Sequence, residues 1–351
     1  MFSRAGAILL LAALALSAAD SPGDRVRARV GAEIDRLSRE AARLAAGGGD
    51  AKAMADQLAA ILETAKRSRA AGRIYAALES VGRARVGLGA AAEMSGRSGK
   101  TPEEFDAFWS RTRTSLAAAD WKPGGPSPSD LPAAVEAMAQ AAEGQIMVLA
   151  DASRAYERVT GPPAGFYYLG EAKSDADWAA FCRSLGARPA AAPATLRSIA
   201  PELARLQQRA TEAFQPPLSI DRHPQFIRFN ATLKLAGELE AQGRRAGALY
   251  EYLDAVQQLA TIAPSKKAAP VEPVEAARRR LTASPRDESL GLLFVERAEN
   301  ASGSAAGPAA AEAILGQVLP AYAEALAAGP SAPAPPAAAA ITVTLVRWPY
   351  T

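Results

Sequence analysis

Cysteine and histidine are almost missing from this chain: Cys182 and His223 are the single representatives of their types in 351 residues. One cysteine excludes a disulfide within the chain, so the fold must be held by packing alone. One histidine and one cysteine cannot assemble the usual zinc-ligand sets. A Ser-His-Asp triad would have to use His223, and no Gly-x-Ser-x-Gly elbow supplies its serine. No Gly-x-x-x-x-Gly-Lys-Ser/Thr phosphate loop occurs, and no Gly-x-Gly-x-x-Gly follows a strand. No metal and no cofactor is expected. Aromatics are also scarce, at 6%, which leaves few platforms for stacking sugars. An excess of either charge is missing: 40 Lys and Arg face 37 Asp and Glu, for a formal net charge of only +3. The clusters Lys66-Arg67-Ser68-Arg69 with Arg73, and Arg278-Arg279-Arg280, have Glu63, Glu79, Glu272 and Glu275 close by. They read as solvated helix faces, and no nucleic acid partner is expected.

Long apolar runs are missing too, with one exception at the start. Arg4 gives a positive beginning, Ala5 to Leu16 an apolar core, and Ser17-Ala18-Ala19 small residues before Asp20. That order reads as a secretory signal peptide over 1–19, cleaved near Ala19. The core is well short of the ~20 residues a spanning helix needs. The mature chain is therefore expected outside the cytoplasm, periplasmic or secreted, with no integral membrane segment after signal removal. No Cys follows the apolar core, which argues against a lipid-anchored exit.

What the chain has is alanine, within a hydrophobic content of 49%. Alanine is the best helix former and lets helices approach closely. Val26, Val30, Ile34, Leu37, Ala41 and Leu44 form one apolar stripe over a helix from about 24 to 46. Gly47-Gly48-Gly49 ends it, and the segment beyond Asp50 reads as one long helix or two. Thr101-Pro102-Glu103-Glu104 is a helix start with a capping box. A helix from about 130 to 160 carries Leu131, Val135, Met138, Ala142, Ile146, Leu149, Ser153, Tyr156 and Val159 on one face. Shorter helices are expected at 165–173, 175–185 and 195–214, then a hairpin over 223–262. Asp221 is placed to cap the helix that Pro224 enters. Ser284-Pro285-Arg286-Asp287 restarts a helix that Asn300-Ala301-Ser302-Gly303-Ser304 interrupts, and a last helix carries Ile314 to Leu326. Asn300-Ala301-Ser302 also matches the glycosylation acceptor pattern, which is common by chance.

The fold class is therefore all-α: antiparallel helical hairpins in a solenoid-like or irregular bundle, with a short strand-like C-terminal tail. The organisation is a signal peptide (1–19), an N-terminal helical region (20–122), a central one (129–263), C-terminal helices (273–328), a Pro/Ala linker (329–340) and the tail (341–351).

Leu235-Ala236, Leu239, Gly243, Ala248, Tyr252 and Ala255 carry a resemblance. Large and small residues at these spacings, with a glycine at the turn, are similar to a tetratricopeptide repeat over 229–262. The small residues let two helices close on each other, and Tyr252 fills the groove between them. Leu169-Gly170 with Ala179-Ala180-Phe181 looks like a degraded second copy, and Ala313 to Ala325 like helix B of a third. The resemblance implies a concave face that binds a protein or peptide partner.

The first functional expectation is an exported, non-enzymatic interaction or scaffold protein. Asn230 and Lys234 should project from the first helix of the hairpin as partner-binding residues. The tail, with β-branched Ile341, Thr342, Val343, Thr344 and Val346 before Trp348, should dock on a partner by strand addition, anchored by Trp348. The second is a carboxylate-based extracytoplasmic hydrolase, since pairs such as Glu103/Glu104, Asp175/Asp177 and Glu238/Glu240 are plentiful. The third is a self-associating structural envelope protein. A polar concave surface favours the first, a deep cavity with carboxyls of opposed pKa shift the second, and a large exposed apolar patch the third. Cys182, beside Phe181 and near Trp178, reads as a buried structural thiol.

Overall fold

The computed structural model describes residues 21–97, 99–118, 128, 130–187, 196–215, 220–263, 272–303 and 307–327. The expected signal peptide, the Pro/Ala linker and the tail with Trp348 lie outside the described residues. Among the described residues there are twelve helices and no strand or sheet, as the alanine-rich periodicities require.

Helix α1 (Pro22–Ala45) begins where Ser21 Oγ accepts the Asp24 N–H at 3.2 Å, with Pro22 in the first turn. Val26, Val30, Ile34, Leu37 and Ala41 of the expected stripe are buried, against α2 (Gly49–Ala70) and α3 (Ile74–Ser95). The segment that the sequence left as one helix or two is two, and Gly72 divides it. Gly72 has φ +76°, with nothing within 4 Å of where its Cβ would lie. Its N–H donates to Arg69 O at 3.0 Å, and the Arg73 N–H donates to Ser68 O at 2.8 Å. These are the two bonds of a Schellman helix stop.

The same stop recurs between α8 (His223–Ala241) and α9 (Arg245–Ile262). Gly243 has φ +74°, donates to Glu240 O at 3.0 Å, and is followed by Arg244 donating to Leu239 O at 2.8 Å. The match extends into both helices. Leu62 and Ala65 before Gly72 correspond to Leu233 and Ala236 before Gly243; Ala77, Leu78, Val81 and Ala84 after it correspond to Ala248, Leu249, Tyr252 and Ala255. All twelve are buried. The α2/α3 hairpin thus matches α8/α9 in its turn and in these buried positions. The candidate copy at Leu169 to Phe181 has no turn, because those residues share one unbroken helix, α6 (Pro162–Arg183).

That continuity replaces the two short helices expected at 165–173 and 175–185. Ser174 and Asp175, at the expected break, are used in tertiary packing. A Cβ on Gly89 would lie 2.0 Å from Ser174 Oγ, and one on Gly82 2.6 Å from the Trp178 ring. These α3 glycines cost helix propensity but let α6 lie directly on α3. The most extensive interface joins α6 to α5 (Ala133–Thr160). On α5 the expected stripe is buried or partly buried through Ser153, after which Tyr156 and Val159 emerge into solvent.

Helix α4 (Pro102–Ala118) starts with the expected capping box: Glu104 N–H donates to Thr101 Oγ1 at 3.3 Å, and Thr101 N–H to Glu104 Oε2 at 3.0 Å. It closes a satellite core in which Phe105 and Phe166 meet edge to face at 5.1 Å. After α7 (Ala200–Ala213), a 3-10 turn at Ile220–Arg222 leads into α8, so Asp221 does not cap that helix. Helix α10 (Val274–Thr282) precedes α11 (Ser289–Ser302). The latter starts later than Ser284 because Asp287 Oδ1 accepts the Ser289 N–H at 3.0 Å, while its Oδ2 accepts the Ala133 N–H of α5 at 2.7 Å. Glu296 of α11 likewise accepts the Ala76 N–H at the start of α3 at 2.8 Å. Helix α12 runs as Gly307–Ala313, a π turn over Ile314–Val318, and Leu319–Ala327. Pro320 has no N–H to give Gly316 O and its ring crowds that carbonyl, which the wider turn relieves.

Candidate functional site

Because the two hairpins share one turn, residues at equal distance from the turn glycine occupy equivalent places. Glu79 of α3 and Tyr250 of α9 are such a pair, and they meet: Tyr250 donates its hydroxyl to Glu79 Oε1 at 2.8 Å. One turn further on, Arg83 and Asp254 form a second equivalent pair, 3.9 Å apart. Both contacts keep the same register, so α3 and α9 run in the same direction where they face each other. Arg297 of α11 bridges them, pairing with Glu79, with Asp254 Oδ1 at 2.5 Å and with the Gln257 side chain. Burial pushes the Glu79 carboxyl up, but Arg297, Arg83 and the Tyr250 hydroxyl together hold it below the usual carboxylate range.

This network forms one wall of a cavity of about 400 Å³ between α2, α3, α5, α6 and α9. Leu58, Val86, Met138 and Trp178 supply apolar lining; Glu171 and Asp175 enter from α6 and Glu251 from α9. Glu251 is 3% exposed and Asp175 7%. Burial, then the neighbouring Asp254, pushes Glu251 up to about 8. Burial, then Glu171, pushes Asp175 well above its ordinary value. Among the described residues, Gln145 Nε2 donates to Glu251 at 3.4 Å, and Asp175 Oδ2 has no hydrogen-bond partner. One cavity therefore holds carboxyls shifted in opposite directions.

The residues singled out from sequence lie elsewhere, with one exception. Asn230 and Lys234 are exposed on α8, as expected of projecting side chains, and Lys234 stands 3.7 Å from Glu238. Trp348 lies outside the described residues. Asp175 faces the cavity, whereas Asp177 is exposed. Glu103 and Glu104 sit at the exposed start of α4, and Glu240 pairs with Arg245. His223 is exposed and stacks on Phe214 at 5.7 Å, away from the cavity. Cys182 is buried, and burial pushes its thiol well up, which suits a structural role. The basic clusters carry ion pairs: Lys66 with Glu63 at 2.6 Å, Arg278 with Glu299 at 2.7 Å, Arg280 with Glu272 at 2.9 Å. Asn300 of the acceptor pattern donates its amide to Ser68 Oγ at 3.1 Å. No described helix is long and apolar enough to cross a membrane.

Sequence reasoning missed Glu79, Arg83, Tyr250, Glu251, Asp254 and Arg297. A signal for four of them was present. Gly72-Arg73-x-x-x-Ala77-Leu78 and Gly243-Arg244-x-x-x-Ala248-Leu249 are the same pattern, and superposing them pairs Glu79 with Tyr250 and Arg83 with Asp254. Comparison with protein-family models, curated proteins and solved structures finds no match to this chain.

Proposed function

We propose that this is an exported, non-enzymatic interaction protein built on tetratricopeptide-like hairpins, and that it receives its protein or peptide partner in the cavity between α2, α3, α5, α6 and α9. One observation carries the reading. Two hairpins with the same turn converge on an open, mixed polar and apolar recess whose acids Glu171, Asp175 and Glu251 form no ion pair among the described residues, and ligand sites are concave and lined in this way. Asn230 and Lys234 on α8 and Trp348 in the tail are the proposed secondary contacts. A signal peptide removed near Ala19 accounts for the apolar start and puts the site outside the cytoplasm.

The test is affinity purification of the mature protein from the envelope fraction of its own cells, beside Leu149→Trp, which plugs the cavity wall. A partner recovered with the wild type and lost with the plugged form supports the proposal. Identical partners on both would overturn it.

One observation favours a second reading, carboxylate-based hydrolysis: Glu79 is held down and Glu251 pushed up within one cavity. Against it, Glu79 Oε1 already accepts from Tyr250, Arg83 and Arg297, which leaves it a weak base. Turnover of glycoside, ester or peptide substrates that disappears in Glu251→Gln would establish hydrolysis; no turnover by the wild type retires it.

A further inference from the structure

We infer that the cavity takes an organic ammonium ion carried on an apolar chain, with Glu171, Asp175 and Glu251 as its counter-charge; this rests on the cavity being the binding site. The charges of the cavity divide into two sets. Glu79 and Asp254 are matched by Arg83 and Arg297, two acids against two bases. Glu171, Asp175 and Glu251 line the same space, and none of them is among the ion pairs of the described residues. Asp175 is the clearest case: it is 7% exposed, faces the cavity, and its Oδ2 receives no donor from the described residues.

Buried carboxyls are normally satisfied, and an exception calls for an explanation. An ammonium group supplies what is missing, three N–H donors, positive charge and no acceptor. A single metal ion does not fit: among the described residues no three acidic, histidine or cysteine side chains come close enough together to ligate one. The counter-charge comes from two helices, Glu171 and Asp175 on α6 and Glu251 on α9, which suits an extended cation. Leu58, Val86, Met138 and Trp178 give its carbon chain an apolar surface. Two sources share this chemistry, a free alkyl diamine and the lysine side chain of a partner peptide.

Binding should also release protons. Around Glu251 stand Gln145 from α5, Glu171 and Asp175 from α6, Asp254 from α9, Arg297 from α11, and Glu79 with Arg83 from α3. Bringing a cation to this set favours ionisation of Glu251, whose carboxyl burial pushes up to about 8, so affinity should grow as pH rises from about 6 to about 8.

Calorimetric titration of the full mature chain tests the inference. The probes are 1,5-diaminopentane, acetyl-Ala-Lys-Ala-amide, pentan-1-ol and hexanoate. The expected result is binding of at least one amine, weakened about tenfold or more in Asp175→Asn and in Glu251→Gln, with neither the alcohol nor hexanoate binding. Tighter diamine identifies the free amine; tighter peptide identifies lysine. Thermal melts keep the variants interpretable, since Asp175→Asn removes a buried acid without a donor and should melt no lower than the wild type. Failure of both amines, equal amine binding by Asp175→Asn, or equal binding of hexanoate overturns the inference. If the amines fail while Leu149→Trp still loses a cellular partner, the ammonium assignment falls and the binding reading stands. If plugging also changes nothing, both fall.

Discussion

Tyr250 donates its hydroxyl to Glu79 Oε1 at 2.8 Å, and the two residues occupy the same place in two hairpins, seven residues beyond a left-handed glycine. Arg83 and Asp254 repeat the relationship one turn on. One wall of the recess is therefore built by two hairpins with the same turn, with Arg297 of α11 paired to both.

Arg297→Ala should be among the most damaging single changes in the chain. It leaves Glu79 buried beside fewer cations, and breaking a buried pair costs about 3–5 kcal/mol. Urea unfolding measures the loss. Adding Glu79→Gln to Arg297→Ala should recover part of it, since the uncompensated charge is then gone; no recovery would mean that Arg297 acts through packing alone.

Gly72→Ala and Gly243→Ala should each cost about 1–2 kcal/mol, the penalty of a side chain in left-handed backbone. Space is not the issue, since nothing lies within 4 Å of either Cβ position. Asparagine, which tolerates this conformation, should cost less at both sites. Equal losses at the two glycines, read from denaturant midpoints, are what equivalent turns require.

Stability should decline on the alkaline side. Glu251 is pushed up to about 8 and Glu296 to about 7, chiefly by burial, whereas glutamate in an unfolded chain titrates near about 4.3. For a carboxyl with a raised folded pKa the stabilising contribution is complete below the unfolded value. It is lost as pH rises through the folded one. Melting temperature should therefore fall between about pH 5 and 8, and Glu251→Gln should flatten that fall. Glu79, Glu33 and Glu93 are shifted down, so their contribution is lost as pH drops below the ordinary carboxylate range.

Much of the helical frame was legible because its signals are local. The α1 stripe, the Thr101 capping box and the α8/α9 hairpin all follow from spacings within one or two helices. The two short helices expected at 165–173 and 175–185 are instead one unbroken helix. Only the neighbouring α3 shows that Ser174 packs at Gly89 and that Asp175 turns into the cavity. The cavity itself draws on five helices, and no run of sequence contains it. The repeated Gly-Arg-x-x-x-Ala-Leu pattern was the one available clue.

The chain purified from its own cells should begin at Asp20. N-terminal sequencing checks this directly, and a retained Met1 would remove the proposal of export through a cleaved signal.

The most direct measurement is carbon NMR of the Asp175 and Glu251 carboxyls across pH, without and with 1,5-diaminopentane. Alone, both should titrate above the ordinary carboxylate range; the diamine should lower both titrations, and at pH 7 it should drive Glu251 toward the ionised form. Titration near 4 that is indifferent to the amine would contradict a cation site in this cavity.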